Sequence, residues 1–339
     1  MKKRYGLIMT LVILFTCSFG QDVPLFQSKE AINVRITGSI KSIKKKSNDS
    51  TLVTGKFQYA HGADQWINVP VQARVRGNYR LKNCFFPPLK LKFNKKDVEP
   101  TLFKGNKALK LVFPCRTSSD KNTLVRNEYL CYQFYQLLSP YYFRTRLAHL
   151  DVTEISRKKP SSYDLLSFFV EDNSMVAKRS QGKIVETKGI NPANFDEKQS
   201  VRNDFFQYMI GNADWSAVFQ HNSNTMLVNG KYVPLSYDFD MSGFVNAGYA
   251  RENAPTLGTG DPRERVYRGY CKSKPVMEDV RKEFLEKESA LHAIIDEHTA
   301  HFSKHELDDM HGYLDEFFRI LKSDDRFKDS ILDLCRTTK

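Results

Sequence analysis

The feature that most constrains the fold is a series of short runs between residues 31 and 113 in which apolar and polar residues alternate. Alternation with a period of two places the apolar side chains on one face of an extended chain, which is typical of half-buried antiparallel strands. Turn residues separate the runs, and Pro87-Pro88 and Pro114 bound two of them. The pattern predicts five strands, over residues 32–36, 55–59, 69–75, 89–93 and 109–113.

Helical periodicity replaces the alternation near Asn122 and predicts a helix that ends at Ser139-Pro140. Two further strands are predicted over residues 146–152 and 165–170. A helix over residues 195–210 follows, and Gly211-Asn212 are good residues to end it.

The last third of the chain begins with a hairpin and continues in helices. Asn229-Gly230, the strongest short turn signal, joins predicted strands over 225–228 and 232–235. Residues 243–274 are rich in Gly and Arg and predict a long loop. Residues 276–335 predict helices, one of which opens at the capping box of Ser303 and Glu306.

This order of elements predicts an α+β fold with an antiparallel, strand-rich N-terminal lobe and a helix-rich C-terminal lobe. We expect the N-terminal lobe over residues 21–115, a central region that holds an acidic site over 116–275, and a helical extension over 276–339. Together they would form one continuous domain, for which an apolar content of 41% is ample.

The first twenty residues have the order of a secretory signal peptide. Lys2, Lys3 and Arg4 precede an apolar stretch over residues 7–15, and small residues follow before Gln21. We expect cleavage near Gln21 and a mature chain that is periplasmic or extracellular. Cys17 in a lipoprotein box is the less favoured alternative, because Thr16 is larger than the usual residue before such a cysteine. No later window has the roughly 20 apolar residues that a membrane span needs.

The formal net charge of +13 suggests an anionic partner, such as a phosphate, an acidic glycan, a nucleic acid or a lipid headgroup. Plain solubility is the alternative, because the basic residues are scattered and form one dense run, over residues 41–46. The sequence has no specific nucleic-acid signal, and it leaves the oligomeric state open.

Five cysteines follow the leader, so at least one thiol stays unpaired within a monomer. Cys84 and Cys115 have similar surroundings in the strand-rich region and are the favoured pair. Cys131 lies on the apolar helix and is expected to be buried and free. The pairing of Cys271 and Cys335 stays open, and no spacing indicates structural zinc.

The acidic and amide residues after the predicted helix 195–210 have the pattern of a phosphoryl-transfer site. Asp214 lies in the loop after the helix, Asn222 precedes the hairpin, and Asp238 and Asp240 follow it. One carboxylate can accept the proton of an attacking hydroxyl, while an amide oxygen and other carboxylates hold Mg²⁺ or Mn²⁺ against phosphates. Each acid could instead be an ordinary turn former or a solvated strand end.

These residues and several upstream motifs resemble the CotH-type secreted and spore-coat kinases, atypical relatives of protein kinases. The matching motifs are Arg76-Gly77-Asn78, Leu109-Lys110-Leu111, Arg126-Asn127-Glu128, Phe169-Val170-Glu171, Ile210-Gly211-Asn212-Ala213-Asp214-Trp215, His221-Asn222 and Asp238-Phe239-Asp240. The resemblance implies a two-lobed, protein-kinase-like fold with ATP as the co-substrate.

By the same resemblance, Asp214 is the catalytic base, and Asn222, Asp238 and Asp240 are the metal ligands. Glu171 belongs to the nucleotide site. A lysine of the N-terminal lobe grips the nucleotide phosphates, and the choice among three lysines stays open: Lys90, Lys92 and Lys110. Lys92 is slightly favoured, although Lys90 shares its face of the strand.

Two further clusters of polar residues lie outside this motif. Arg263, Arg265 and Arg268 could clamp a phosphate or another anionic substrate, and the alternative is a loop paired with its own acids. Three histidines between residues 298 and 305 have metal-ligand spacing, but the capping box at Ser303 divides them, so we expect no metal there.

The sequence therefore predicts an exported, Mg²⁺-dependent phosphotransferase that acts on a protein or another hydroxyl acceptor. The alternative is an exported binding protein without catalysis, which holds a cation, a glycan or a peptide in an acid-lined cleft.

Overall fold

In the computed structural model, the described residues are 23–39, 45, 53–62, 64–155 and 159–337. The predicted signal peptide, its cleavage site near Gln21, Cys17 and most of the basic run over 41–46 lie outside these residues. Within the described part of the chain, no helix combines the length and the apolar character that a membrane span requires.

A closed barrel of seven strands forms the first half of the fold. Its order around the circumference is β1-β2-β3-β4-β5-β7-β6, and all neighbours are antiparallel except β1 and β6, whose parallel pairing closes the barrel. The strands are β1 (Ile32–Gly38), β2 (Val53–His61), β3 (Gln65–Val75), β4 (Leu89–Lys92), β5 (Ala108–Val112), β6 (Thr145–Glu154) and β7 (Ser161–Val170).

The prediction of a two-lobed, protein-kinase-like fold with an antiparallel N-terminal lobe is therefore wrong. The strands themselves are found where the alternation predicts them, but β6 and β7 join the five earlier strands instead of forming a separate group. The alternating pattern specifies which side chains face inward, but it contains no information on which distant strand is the neighbour. Parallel pairing of Val34 with Leu150, more than a hundred residues later, closes the barrel.

The barrel is filled by its inward-facing side chains and packs against helices with part of its outer surface. Leu165 and Phe169 of β7 belong to the interior cluster, while Phe168 and Val170 of the same strand belong to the helical core. A strand that is buried on both faces reads as a continuous apolar run, as residues 165–170 do. This shared wall fixes the barrel against the helix Lys121–Leu138.

Helices form most of the second half, as the sequence predicts. The hairpin is also confirmed: β9 (Ser223–Val228) and β10 (Lys231–Ser236) pair around Asn229 and Gly230, which both have positive φ, and β8 (Lys183–Val185) extends the sheet. The helices are α1 (Asn78–Asn83), α2 (Lys95–Val98), α3 (Lys121–Leu138), α4 (Asn173–Arg179), α5 (Glu197–Met209), α6 (Gly248–Arg251), α7 (Lys274–Glu286), α8 (Glu288–Asp296), α9 (Lys304–Lys322) and α10 (Asp324–Phe327).

Two disulfides connect parts of the chain that are distant in sequence. The predicted pair Cys84–Cys115 is confirmed, and Cys271 pairs with Cys335. Cys131 is free and buried in α3, as predicted, and burial raises the pKa of its thiol well above the ordinary value. The first disulfide joins the end of α1 to the segment after β5, next to the residues described below.

Candidate functional site

The turn that follows α5 carries the first acid of the site. Gly211 has a φ of 61°, and a Cβ at this position would collide with the hydroxyl of Tyr313. The buried amide of Asn212 donates from Nδ2 to Gln207 Oε1 at 2.9 Å and accepts at Oδ1 from the backbone nitrogen of Asp214 at 3.0 Å. The end of the helix therefore fixes the position of Asp214.

The carboxylate of Asp214 is held by the loop that leads into the hairpin. His221 Nε2 lies 2.6 Å from Asp214 Oδ1, and Asn222 Nδ2 donates to Asp214 Oδ2 at 2.9 Å. Ser216 and His221 exchange two backbone hydrogen bonds of 2.9 Å, which close the loop. The hydrogen bond to Asp214 raises the pKa of His221 above its ordinary value, so the imidazolium form is favoured next to the acid.

Asp238 follows the end of β10 and lies beside the loop that holds Asp214. The backbone nitrogen of Tyr237 donates to the carbonyl oxygen of Asn222 at 3.0 Å, which joins the two loops. Asp238 has a φ of 65°, and its backbone nitrogen donates to the hydroxyl of Tyr132 at 3.0 Å. Left-handed backbone at a residue other than glycine costs energy, and it is often found at functional sites. The hairpin thus brings Asp214, Asn222 and Asp238 together.

A buried arginine lies beneath these loops. Arg80 Nη2 is 2.8 Å from Asp238 Oδ1, 2.8 Å from Asp240 Oδ1 and 3.3 Å from Glu128 Oε2. Tyr249 donates from its hydroxyl to Asp240 Oδ2 at 2.9 Å, so both oxygens of Asp240 accept hydrogen bonds. One guanidinium therefore connects α1, α3 and the segment after the hairpin.

The three carboxylates around Arg80 differ in their electrostatics. Burial raises the pKa of Glu128 to about 8, and the charges of Asp240 and Asp238 act in the same direction. Burial and the charge of Asp238 raise the pKa of Asp240, although Arg80 opposes them. Burial would also raise the pKa of Asp238, but the charges of Arg80, Arg76 and Lys110 outweigh it and lower this pKa. Asp238 is thus the carboxylate of the three whose pKa is lowered.

Lys110 of β5 is the buried lysine of the site. Its Nζ lies 4.0 Å from the ring centre of Tyr237 and 4.5 Å from that of Phe143. Burial and the charge of Arg76 lower its pKa well below the ordinary value, while Asp238 is among the acids that act in the opposite direction. Because burial disfavours the charged form of this lysine, an anion from outside the protein would stabilise its ammonium.

Two of the other predicted nucleotide-site residues, Lys90 and Glu171, lie near Lys110 but have their own partners. Lys90 is the cross-strand neighbour of Lys110, and its Nζ contacts Asp172 at 3.3 Å. Glu171, buried, contacts Arg179 Nε at 3.2 Å, and burial raises its pKa. Lys92 is exposed at the end of β4. Among the three candidate lysines, Lys110 is the one whose charge acts on Asp238.

Two of the three predicted anion-binding arginines are half-buried and pair with acids of α9. Arg263 Nη1 contacts Asp309 at 2.8 Å, and Arg265 Nη1 contacts Glu316 at 3.0 Å. Both guanidinium groups also lie over the ring of Tyr313. The loop is therefore ion-paired, but with acids of α9 rather than with its own.

Arg268 differs from the other two arginines. Its Nη1 donates to the carbonyl oxygen of Leu257 at 3.1 Å. Burial and the charge of Arg336 lower its pKa, while the charge of Asp214 acts in the opposite direction. Arg268 therefore lies within electrostatic range of the acid at the centre of the site.

Sequence reasoning did not identify Arg80 and did not give Glu128 a role. A signal for Glu128 was present, because it is four residues from both Leu124 and Tyr132 and so shares the apolar face of α3. An acid on an apolar helix face needs a buried partner. The partner itself, Arg80, is the third residue of the short helix α1, and no comparable sequence pattern marks it.

Comparisons with known proteins give little further information. No family model matches the chain, and no curated protein matches it. Among solved structures, the Helicobacter pylori proinflammatory kinase CtkA is weakly similar, with a TM-score of 0.36 and 13% identity over 86% of this chain and 92% of that one. A TM-score of this size does not establish a common fold, and none of these comparisons shows the CotH-type family.

Proposed function

We propose that the chain is an exported phosphotransferase, dependent on Mg²⁺ or Mn²⁺, that transfers a phosphoryl group from ATP to a protein or another hydroxyl acceptor. The observation that supports this proposal is the convergence of Asp214, Asn222 and Asp238, with the buried ammonium of Lys110 acting on Asp238. A carboxylate base, hard oxygen ligands and a cation for phosphate oxygens are the groups that phosphoryl transfer requires.

Asp214 is proposed as the general base. Its carboxylate is partly exposed, and His221 and Asn222 hold it in one orientation. The acceptor oxygen forms a bond to the γ-phosphorus, the bond from that phosphorus to the bridging oxygen of ADP breaks, and the hydroxyl proton passes to Asp214. Lys110 is proposed to bind the nucleotide phosphates, and Arg268 to bind the anionic acceptor or the transferred group.

The oxygen donors fit a hard divalent cation. Asn222 uses its Nδ2 to bind Asp214, so its amide oxygen is the atom available as a ligand. Asp238 is ionised and partly exposed, and its Oδ1 already contacts Arg80. We assign the cation to Asn222 and Asp238, where it would neutralise the phosphate charge.

Asp240 has a different role in this proposal. Both of its oxygens accept hydrogen bonds, from Arg80 and Tyr249, and the residue is buried. We infer that Asp240 and Glu128 hold Arg80, which in turn positions Asp238 for the cation. Asp240 is thus a positioning residue and not a metal ligand.

The experiment is transfer of label from γ-³²P-ATP by the purified chain, with MgCl₂ or MnCl₂ and with candidate acceptor proteins. Label should appear on the acceptor or on the chain itself, and Asp214→Asn should abolish transfer while ATP binding persists. Asp151→Asn is the matched control, because this exposed acid pairs with Arg35 on the outside of the barrel. Transfer by Asp214→Asn at the wild-type rate would remove Asp214 from the base role.

One observation favours the second candidate, an exported binding protein without catalysis. Arg80 already pairs with both Asp238 and Asp240, so neither carboxylate needs a metal ion to have a cationic partner. A protein of this kind would bind its cation, glycan or peptide and would release no ADP from ATP in the same assay. Binding of ATP without transfer or hydrolysis under any metal condition would favour this candidate.

A further inference from the structure

Two histidines and three acids meet between α8 and α9, outside the site described above. Glu288 and His292 are four residues apart on α8, and His311 and Asp315 are four residues apart on α9. Residues at this spacing lie on one face of a helix. The two helices therefore contribute one pair each to a single cluster.

The distances within the cluster form a continuous chain of polar contacts. His292 Nε2 lies 3.2 Å from Asp315 Oδ1, and His292 Nδ1 lies 2.7 Å from His311 Nδ1. His311 Nε2 lies 3.1 Å from Asp296 Oδ1. The two rings are nearly parallel, with planes 12° apart. The ligand atoms of Glu288, His292 and Asp315 all lie within 4.8 Å of one another.

The contact between the two Nδ1 atoms limits which ring nitrogens can carry a proton. A neutral imidazole has one N–H donor and one acceptor nitrogen. If Asp315 and Asp296 each accept from the nearer Nε2, both Nδ1 atoms are acceptors that face each other at 2.7 Å. Two lone pairs do not stay at this distance without a shared proton.

A cation at His292 Nε2 removes this conflict. The proton of His292 then lies on Nδ1 and is donated to His311 Nδ1, while His311 donates its Nε2 proton to Asp296. Every ring nitrogen has a complementary partner, and both rings are neutral. Histidines that bind metal commonly donate their second nitrogen in this way, which fixes the ring orientation.

We propose that Glu288, His292 Nε2 and Asp315 bind a divalent transition metal of the zinc class. One imidazole and two carboxylates suit such an ion, and three protein ligands leave a position open for water or another ligand. His311 is a positioning residue, which orients His292 and is oriented by Asp296. This proposal is independent of the phosphotransferase function, since it uses other residues and another class of metal.

Lys322 pairs with Glu288, one of the proposed metal ligands. Its Nζ lies 2.7 Å from Glu288 Oε1, so its ammonium occupies a position on this carboxylate that a metal cation would otherwise use. The side chain is 56% exposed and can turn into solvent when the ion binds. Because the lysine competes with the metal for Glu288, Lys322→Met should tighten metal binding. A purely structural cluster gives no reason for such a gain.

The test is calorimetric titration of the chelator-treated full chain with ZnCl₂, followed by visible absorption of the Co²⁺-loaded protein. We expect one Zn²⁺ per chain at this cluster. His292→Ala should weaken its binding by more than about 100-fold, and Asp315→Asn by at least about 10-fold. His305→Ala is the matched control, because this histidine is exposed on the same helix, and it should bind Zn²⁺ as the wild type does.

Several results would overturn the proposal. One is a wild-type chain whose cluster is not saturated by about 1 mM Zn²⁺, and another is equal Zn²⁺ affinity and equal Co²⁺ absorption in wild type and His292→Ala. Asp315 is 58% exposed, so Asp315→Asn should keep the fold even if His292→Ala does not. Unchanged affinity in Asp315→Asn would therefore refute the ligand set. In the first two cases the histidines share a proton and hold no metal.

Discussion

Replacement of Arg80 by glutamine should destabilise the protein strongly and in a pH-dependent way. The guanidinium is buried and contacts Glu128, Asp238 and Asp240 within 3.3 Å. Removal of one partner from a buried ion pair leaves an uncompensated charge and costs about 3–5 kcal/mol. We expect Arg80→Gln to lower the free energy of unfolding by this amount at neutral pH.

The pH dependence follows from the carboxylates that lose their partner. Without Arg80, burial raises the pKa of Asp238 and Asp240, so the folded variant binds at least one proton more than the folded wild type. A group with a raised folded-state pKa loses stability as the pH rises through the range between its unfolded and folded values. The gap between the two proteins should widen by about 1.4 kcal/mol per pH unit for each extra proton.

Urea denaturation of both proteins from about pH 5.5 to about pH 8.5, a range that includes the raised pKa of Glu128 at about 8, measures this gap. Arg116→Gln is the control, because its 3.9 Å contact with Glu252 is exposed and should contribute at most about 1 kcal/mol at any pH. If Arg80→Gln does not fold, Glu128→Gln tests the same cluster. Because burial raises the pKa of Glu128 to about 8, the wild type should lose stability relative to this neutral variant as the pH rises to about 8, by about 1.4 kcal/mol per pH unit, and the difference should stay constant above that pH. A loss below about 1 kcal/mol in Arg80→Gln, or a loss independent of pH, would refute this view of the cluster.

Three other predictions concern separate parts of the molecule. Lys110→Met should weaken ATP binding by about 10- to 100-fold in calorimetry, whereas Lys92→Met, which removes an exposed lysine, should leave it within twofold. Gly211→Ala should lower the free energy of unfolding in urea by about 2–4 kcal/mol, because φ is positive and the new methyl group meets a tyrosine hydroxyl. Alanine at both Cys84 and Cys115, which are 31 residues apart, should cost about 4 kcal/mol in urea under oxidising conditions and nothing when both proteins are fully reduced.

Local structure could be predicted from the sequence because it depends on neighbouring residues. The period of two, the Asn229-Gly230 turn and the capping box of Ser303 each specify one element, and the structure contains all three. The closed barrel could not be predicted in this way. Pairing of β1 with β6 is a contact between distant segments, and the alternating pattern is the same for an open lobe and a closed barrel.

The candidate site could be predicted in part. Asp214, Asn222 and Asp238 converge because a short hairpin joins their loops, and this geometry follows from the turn signal. The sequence could not distinguish among the lysines, since alternation gives the direction of a side chain but not what covers it. Lys110 and Lys92 both point out of the barrel wall, but only Lys110 of these two is buried, where the rings of Phe143 and Tyr237 cover it.

The cluster of Glu288, His292, His311 and Asp315 also could not be predicted from the sequence. Its two pairs with a spacing of four residues are visible in the sequence, but each pair alone is an ordinary exposed helix motif. Only the packing of α8 on α9 makes them neighbours. The three histidines between residues 298 and 305 had the more obvious spacing, and the capping box separates them as expected.

Titration of the full chain with ATP, once with excess MgCl₂ and once with excess EDTA, tests the central claim most directly. The proposed site predicts saturable binding of one ATP per chain that requires the metal and is lost in Asp238→Asn. Metal-dependent binding that Asp238→Asn retains, or no binding of ATP by the folded wild type with either Mg²⁺ or Mn²⁺, would contradict it.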